Sequence, residues 1–349
     1  MAMFVGCAEG EVAHPQMPIL ASESSPFKEG ADAPLGGLQS GEFFDEDTCS
    51  FDAEDPFEPR TRFAYGPWEG ECHDTRKRRP VIALTAAETA DLDVPDRWIA
   101  LANVYHRDAF WTAVIPIETI VDIYFQLEYF PAIVPAGHTQ LRVDFKLPVR
   151  LYGQSTEVRG EYDETQQLVL SAEAVTRKGD AYDLLRGTRN HFAVALRVTT
   201  LEARFQSMVM EKDHYVEQWQ LLLTGMEKEK IFRWYIADSE AFGMDEPYHT
   251  IFRNCTTELI RILDEVVEYT KGEQVRRFFL RVTEFYPNVV RAALIARGLL
   301  PFNQSTDWYA LHEDPVMDDV RAAAEAENDG ADEAMDGDVP AADGADDEV

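Results

Sequence analysis

The stretch that decides the fold runs from Gly137 to Gly153 and reads GHTQLRVDFKLPVRLYG. Its apolar side chains stand at every second position, at Leu141, Val143, Phe145 and Leu147. A period of two is typical of a strand with one buried face. The stretch therefore predicts a long β-strand that covers a core with one of its faces.

Two later stretches show the same alternation. They read QQLVLSAEAVTRKG, residues 166–179, and NHFAVALRVTT, residues 190–200. Strands that follow one another along the chain with short connections usually lie next to each other in a sheet. We therefore expect the three stretches to form an antiparallel meander.

The sequence on both sides of these strands has helical spacing. Residues 81–130 carry candidate caps at Thr85 and at Asp93 or Asp96, and they predict two or three helices. After Thr200, helices are predicted in TLEARFQSMVMEKDHYVEQWQLLLTG, EKEKIFRWYIADSEAF, GEQVRRFFLRVTEFY and PNVVRAALIARGLL, where Pro287 suits a first helical turn. The predicted fold class is α+β, with an antiparallel sheet packed on helices.

The composition divides the chain into three parts. Residues 1–80 are rich in Pro, Gly, Glu and Asp without sustained periodicity, and they predict a disordered tether with no catalytic groups. Residues 81–311 form the predicted domain, with its core at 135–270. Residues 312–349 are acidic and rich in Ala and Gly, and they predict a disordered tail.

The net charge of −32 is concentrated in part at the carboxyl end. Residues 313–349 hold fifteen Asp or Glu against Arg321 alone, which gives −14 there and −18 elsewhere. Proteins that bind nucleic acid do so through Lys and Arg, so this balance disfavours a nucleic acid partner. The longest apolar region, residues 109–135, is interrupted by Glu118, Asp122 and Glu128 and predicts buried helix and loop rather than a membrane span.

The amino-terminal sequence MAMFVGCAEG supports two interpretations of the compartment. It lacks the basic and apolar regions of a secretory signal, which taken at face value indicates a cytosolic protein. However, FVGC resembles the end of a bacterial lipoprotein signal, which would make Cys7 a lipidation site and place the true start upstream. In that case Cys49 and Cys72 can form a disulfide in the irregular segment. The alternative is that all four cysteines are reduced.

A lone cysteine opens one of the predicted helices, in RNCTTELIRILDEVV at residues 253–267. Asn254 is a candidate cap, and the apolar face of the helix follows. A helix amino terminus favours a thiolate because its partial positive charge and unpaired N–H groups stabilise an anion. Cys255 is therefore a candidate nucleophile at the helix entrance, and a structural cysteine is the alternative.

A cysteine nucleophile needs a base, and His138 has the most suitable position among the eight histidines. It follows a Pro and Gly turn at the first position of a predicted strand, where a side chain can face a cleft while the strand fixes it. Glu173 on a neighbouring strand is the candidate group that orients the imidazole. The alternatives are a hydrogen-bonded strand-end histidine and a salt bridge from Glu173 to Arg177 or Arg142.

Three stretches in this order carry a family resemblance: GHTQLRVDF, LVLSAEAVTRKGDAYDLLRG and YHTIFRNCTTELI. They comprise a strand led by histidine, a strand with Ser and Glu followed by a Leu-Gly turn, and an Asn-Cys motif that opens a helix. The chain here resembles the Lnb-type amino-terminal periplasmic domain, a widespread bacterial family. The resemblance covers roughly residues 135–270.

The resemblance implies a circularly permuted papain-like fold, as in NlpC-like envelope enzymes, where the histidine precedes the cysteine. It implies Cys255 as nucleophile, His138 as base and Glu173 as the orienting group. Asn254 would shape the turn, and the Cys255 amide, helped by Asn254 or Tyr248, would hold an oxyanion. Membrane-attached members of the family are linked to transfer of an acyl chain onto lipoproteins through a cysteine thioester.

The expected function is therefore a thiol-dependent acyltransferase or hydrolase of the bacterial envelope, acting on a lipid ester or amide without a cofactor. Lipid, lipoprotein or peptide is the expected substrate, and a lipid anchor would bring the protein to the membrane surface. This chain lacks the family's multi-helix membrane region, so lipoprotein acylation itself does not carry over. A cell-wall amidase or peptidase and a non-enzymatic binding protein are the alternatives. No Cys and His spacing matches a zinc site, so no metal is expected.

Overall fold

The computed structural model describes residues 43–130, 137–279, 289–302, 308–318 and 320–322. The strands in these ranges are β1 (Ile82–Ala83), β2 (Ile99–His106), β3 (Ala109–Ile115), β4 (Ile120–Tyr129), β5 (Gly137–Gly153), β6 (Tyr162–Val175), β7 (Phe192–Thr200), β8 (Tyr215–Gln220), β9 (Pro247–Tyr248) and β10 (Trp308–Ala310). The helices are α1 (Leu184–Gly187), α2 (Leu201–Phe205), α3 (Gly225–Phe242), α4 (Cys255–Val266), α5 (Lys271–Phe279) and α6 (Val290–Ala296). The mixed α+β class expected from the sequence is confirmed.

The ten described strands form one sheet. Its order is β1-β2-β7-β6-β5-β4-β8-β10, while β3 pairs with β2 and β5, and β9 pairs with β7. β5, β6 and β7 pair antiparallel in series, so the predicted meander is confirmed. β2 runs parallel to β7 where the two strands meet.

The alternation along β5 gives the sheet two different faces. Leu141, Val143 and Phe145 join the large apolar core to which α3 and α4 contribute. Gln140 and Arg142 alternate with these residues and are also buried, which places them on the opposite face. The sheet therefore separates an apolar layer from a buried polar layer.

Side-chain hydrogen bonds connect neighbouring strands across the polar layer. Gln140 Nε2 donates to Gln126 Oε1 at 2.7 Å, and Gln126 Nε2 donates to Gln218 Oε1 at 2.6 Å. Arg204 of α2 covers this row and donates from Nε to Gln140 Oε1 at 2.9 Å. Buried polar groups need hydrogen-bond partners, and here these partners lie on adjacent strands and on α2.

The helices predicted for residues 81–130 are wrong, because this range forms β1 to β4. Thr85 and Glu88 do make cap-like hydrogen bonds, with Thr85 N donating to Glu88 Oε2 at 2.8 Å, but only a turn follows. β3 is buried at all seven positions and β2 at seven of eight. A strand buried on both faces lacks alternation, and its apolar run cannot be distinguished from a helix by spacing.

The first long helix predicted after Thr200 is also partly wrong. α2 continues into a π-helical turn, Gln206–Met210, and the chain then forms β8, which pairs with β4. Val216 and Gln218 are buried while Tyr215 and Glu217 are partly exposed, which is the period of a strand. The other predicted helices appear as α3, α4, α5 and α6, and Pro287 lies outside the described residues.

The described part of the predicted tether, residues 43–80, has little regular structure, but it is packed against the domain rather than disordered. A disulfide joins Cys49 to Cys72, so the alternative of reduced thiols is wrong for this pair. Buried Arg79 lies 3.4 Å from the carboxylate of buried Glu58. Covalent and ionic contacts thus hold a segment that the sheet does not include. Cys7 lies outside the described residues, and its lipidation stays a prediction.

The start of the predicted acidic tail also belongs to the packed structure. Met317 joins a second apolar cluster, which includes Phe205 of α2 and Leu311, the last residue of the predicted domain. Asp314 pairs with Arg142 in the polar layer. The division of the chain into tether, domain and tail stays a prediction. Within the described ranges, no helix combines the length and apolarity that crossing a bilayer requires.

Candidate active site

Cys255 is the first residue of α4, as predicted. Asn254 caps the helix, because its Oδ1 accepts hydrogen bonds from the N–H groups of Thr256 at 2.9 Å and Thr257 at 3.0 Å. Neither of these two hydrogen bonds uses the N–H of Cys255. Cys255 is nevertheless buried, at 3% exposure, and it is the free cysteine within the described ranges. The thiol therefore lies at a helix amino terminus and away from bulk solvent.

His138 is the second residue of β5, and it faces a carboxylate on each neighbouring strand. On one side it pairs in register with Glu128 of β4. On the other side, the β5–β6 register of Leu141 with Leu170, extended by three residues, sets it opposite Glu173. The antiparallel sheet thus places His138 between two acidic side chains.

Glu173 has more than one partner in the buried site. Its Oε1 lies 3.4 Å from His138 Nε2, a contact that is an ion pair rather than an aligned hydrogen bond, and it accepts a hydrogen bond from Ser171 Oγ at 2.9 Å. Arg204 approaches Oε1 at 3.5 Å, and Arg78 approaches Oε2 at 3.8 Å. Several positive groups therefore stabilise the charge of Glu173.

The alternative salt bridges considered for Glu173 are wrong. Arg177 pairs with Asp180 at 3.3 Å, and Arg142 pairs with Asp144 at 2.7 Å. Arg142 lies on the same face of the sheet as His138, but four positions further along β5, where Asp144 and the carboxyl-terminal segment are closer.

The charges of the site shift three pKa values, and each shift favours the charged form of its group. Burial would lower the pKa of His138, but the negative charges of Glu173 and Cys255 raise it to about 10. Burial would raise the pKa of the Cys255 thiol, but the charge of His138 and hydrogen bonds from Thr139 lower it. Burial would also raise the pKa of Glu173, but His138 and Arg204 lower it well below its ordinary value. The arrangement favours a thiolate beside an imidazolium.

A second carboxylate, Glu128, supports this arrangement and was not predicted from the sequence. Its Oε1 accepts a hydrogen bond from His214 Nδ1 at 2.6 Å, and its Oε2 lies 3.6 Å from Arg204. Burial would raise the pKa of Glu128, but the hydrogen bond from His214 and the charge of Arg204 lower it. Arg204 thus bridges the two carboxylates that flank His138.

The two residues predicted to help an oxyanion have different positions. Asn254 is committed to the turn, since its Oδ1 caps the helix and its Nδ2 donates to the Thr250 carbonyl at 2.8 Å. Tyr248 is buried near the thiol. Burial and the charge of Cys255 raise the pKa of Tyr248 well above its ordinary value, so its phenol stays protonated, and it hydrogen-bonds the phenol of Tyr182.

Exposed apolar side chains lie beside the turn that carries Cys255. Thr250 accepts the hydrogen bond from Asn254, and its Oγ1 donates to the Leu184 carbonyl at 3.1 Å, which ties α1 to this turn. Leu184, Leu185 and Phe252 are 44%, 75% and 66% exposed. We call these three residues the apolar rim.

The sequence signals for the supporting residues were weak. Arg204 lies in a segment whose sequence shows only apolar periodicity, and Glu128 lies in a range whose spacing predicts helices. Glu128 does stand within a buried apolar run. A carboxylate there is costly to bury without a partner, and the same reasoning makes Glu173 a candidate. In the described part of the chain, no group of three or more His, Cys, Asp or Glu is arranged to hold a metal ion.

Comparisons with known proteins bear on the family of this chain. No curated protein and no solved structure matches the chain. A family model for the Lnb N-terminal periplasmic domain matches residues 107–291, more than half of the sequence. This range contains Glu128, His138, Glu173, Arg204 and Cys255. The chain therefore belongs to the Lnb N-terminal periplasmic domain family.

Proposed function

We propose that the protein is a thiol-dependent acyltransferase or hydrolase of the bacterial envelope that works through an acyl-enzyme on Cys255. The observation that carries the proposal is the buried set of Cys255, His138 and Glu173, in which the thiol begins a helix and the histidine lies beside a charged carboxylate. A strand with the base, followed later by a helix with the nucleophile, is the order of a circularly permuted papain-like fold. The periplasmic description of the family supports an envelope location.

In the first half-reaction, the Cys255 thiolate attacks the carbonyl carbon of an ester or amide. A C–S bond forms, the bond from the carbonyl carbon to the leaving oxygen or nitrogen breaks, and His138 gives its proton to the leaving alcohol or amine. In the second, an amine or water attacks the thioester, His138 takes its proton, and the C–S bond breaks. An amine acceptor gives an acyltransferase, and water gives a hydrolase.

Two groups are candidate donors for the oxyanion of these steps. The N–H of Cys255 lies at the start of α4 and is not used by the Asn254 cap. The protonated phenol of Tyr248, which also hydrogen-bonds Tyr182, is the second candidate donor. Asn254 acts by shaping the turn, since its own side chain is already hydrogen-bonded. Loss of one donor from such a site typically costs about 3 kcal/mol of transition-state stabilisation.

The apolar rim favours a lipid acyl donor over a purely polar substrate. Exposed apolar groups that lie together on a surface often mark a binding or membrane-contact site. A lipid on Cys7 would hold the domain at the membrane surface, where such a donor is available. Lipoprotein or peptide amines are then the acceptors within reach, and no nucleic acid is involved.

The proposal is tested by incubating the purified protein with mixed envelope phospholipids and a lipopeptide, followed by mass spectrometry of the peptide that contains Cys255. The expected result is an acyl adduct on Cys255 that hydroxylamine removes, as it does for a thioester. Cys255→Ala should give no adduct, and His138→Ala should form it far more slowly.

A parallel incubation with peptidoglycan tests the cell-wall alternative. Release of cell-wall fragments that depends on Cys255, without an acyl adduct from lipid, would replace the lipid substrate by a wall substrate on the same thiol. If the wild type and Cys255→Ala behave alike on lipid and on cell wall, the enzyme proposal is wrong.

A further inference from the structure

Three arginines converge beside Glu173 on the polar layer of the sheet. Arg204 lies 3.5 Å from Glu173 and 3.6 Å from Glu128, and Arg78 lies 3.8 Å from Glu173. Arg197 of β7 stands opposite Ser171, two residues from the position opposite Glu173. Because side chains two residues apart in a strand share a face, Arg197 points to the same layer as Glu173.

Arg197 differs from the other two arginines because it pairs with neither carboxylate. Its guanidinium lies over the Tyr105 ring, 4.4 Å from the ring centroid, and the residue is 6% exposed. Its Nε is buried without a hydrogen-bond partner among the described residues. Thr199, two residues further along the same strand face, also has a buried Oγ1 without such a partner.

An unpaired guanidinium in this position is costly for the folded protein. Removing a charge from water is costly, and a single cation–π contact offsets only part of that cost. Burial lowers the pKa of Arg197 to about 10, so the group still carries its charge at neutral pH. The carboxylates nearby are shared by Arg204, Arg78, His138 and His214. The charge of Glu173 acts on Arg197 as well, but no carboxylate of the described residues forms an ion pair with it, and its Nε has no hydrogen-bond partner there.

We propose that Arg197, with Arg78 and Arg204, forms an anion-binding subsite next to the candidate active site, and that it takes a phosphate group. Guanidinium groups bind phosphate through paired N–H donors, and Thr199 adds a hydroxyl donor on the same strand face. This inference rests on the proposed function insofar as the phosphate belongs to the acyl donor. Arg197 would then select donors that carry phosphate over neutral ones.

The first test is calorimetric titration of the Cys255→Ala protein, in which no acyl transfer consumes the ligand. The ligands are inorganic phosphate, a short-chain phosphatidylglycerol below its micellar concentration, and the matching neutral diacylglycerol. At least one of the two phosphate ligands should bind more tightly than the diacylglycerol. The difference between the two phosphate ligands identifies the source as a lipid headgroup or free phosphate.

The variant for this test is Arg197→Met, which keeps much of the side-chain length and removes the charge. It should bind the phosphate ligands about ten- to hundredfold more weakly, as expected for a charge-assisted hydrogen bond. Arg159→Met is the matched control, because Arg159 is an exposed arginine that pairs with Glu54. It should bind as the parent protein does. Equal affinity of Arg197→Met and the parent would overturn the proposal.

The melting temperature without ligand separates a binding role from a structural one. If Arg197 serves a ligand, replacing this buried charge by Met should leave the melting temperature unchanged or raise it by a few degrees. A fall in the melting temperature, or failure of the variant to fold, would show that Arg197 is structural and would overturn the proposal.

The outcomes also separate this inference from the proposed function. If Arg197→Met loses phosphate binding and the wild type forms no acyl adduct on Cys255, the subsite is supported and the acyl-transfer function is wrong. If the wild type forms an adduct on Cys255 and Arg197→Met binds phosphate as its parent does, the acyl-transfer function is supported and the subsite is wrong.

Discussion

Glu173 is the residue on which the charges of the site converge, since His138, Arg204 and Arg78 all approach its carboxylate within 3.8 Å. The motif order in the sequence predicts Glu173, His138 and Cys255 as neighbours. It does not predict Arg204, because a contact between residues on different elements depends on register and on how a helix docks. Periodicity reports which face of an element is buried, but not what lies across from it.

Glu173→Gln should lower the free energy of unfolding by about 3–5 kcal/mol at pH 7, because it leaves buried cations unpaired. The folded-state pKa of Glu173 lies well below its ordinary value of 4.5, so its stabilising charge is present above that value. That contribution is lost as the pH falls through the folded-state pKa. In urea denaturation, the difference in free energy of unfolding between Glu173→Gln and the wild type should therefore be large at neutral pH and decrease in acid.

The control for this measurement is Glu164→Gln, which changes an exposed glutamate on the same strand. It should alter the free energy of unfolding by less than about 0.5 kcal/mol at either pH. A similar effect for both variants would mean that Glu173 has no special electrostatic role.

At the scale of elements, α4 and the meander follow from the sequence, and β1 to β4 do not. Apolar residues stand at every second position along the first half of β5, and α4 has a cap and one apolar face, so each shows its period in the sequence. β2 and β3 lie deep in the structure with both faces covered, and their composition alone does not distinguish strand from helix. Tertiary burial therefore decides the structure of residues 81–130.

The cap of α4 links stability to the position of the thiol. Asn254→Ala should lower the free energy of unfolding by about 1 kcal/mol and slow alkylation of Cys255, because the first turn that holds the thiol loses its cap. Asn254→Ser should keep most of the wild-type free energy of unfolding and most of the wild-type alkylation rate. Urea denaturation and timed alkylation measure the two effects.

Thr224→Ala provides the matched control, since Thr224 closes an equivalent capping box at α3. It should cost similar stability and leave the alkylation rate of Cys255 unchanged. If Asn254→Ala and Thr224→Ala slowed alkylation equally, the effect would be general loosening rather than positioning of the thiol.

At the scale of the whole molecule, the domain includes parts of both regions predicted to be disordered. The irregular segment before β1 is held by the Cys49–Cys72 disulfide and by the ion pair of Arg79 with Asp55. The segment after β10 is held by Asp314, which pairs with Arg142. Composition predicts disorder there because both segments are polar. Their stabilising contacts join distant parts of the chain, and composition does not report such contacts.

Removing the disulfide should destabilise the whole domain. The bond closes a loop with a sequence separation of 23, and loop-closure entropy for that length corresponds to about 3 kcal/mol. The double variant Cys49→Ser/Cys72→Ser should lose roughly that free energy of unfolding in urea. The wild type in strong reductant should match it, and a variant as stable as the oxidised wild type would show that the segment does not depend on the bond.

The central claim is that Cys255 is a thiolate paired with a protonated His138. The pH dependence of its alkylation by iodoacetamide tests this most directly, in a Cys7→Ser protein with the disulfide intact so that Cys255 is the reactive thiol. The rate should rise at a pH below the ordinary thiol pKa of 9.0 and show a second inflection near 10, where His138 loses its proton. His138→Ala should show a single inflection at 9.0 or above, because burial of the thiol is then no longer opposed by the imidazolium. A single inflection at or above 9.0 in both proteins would contradict the account.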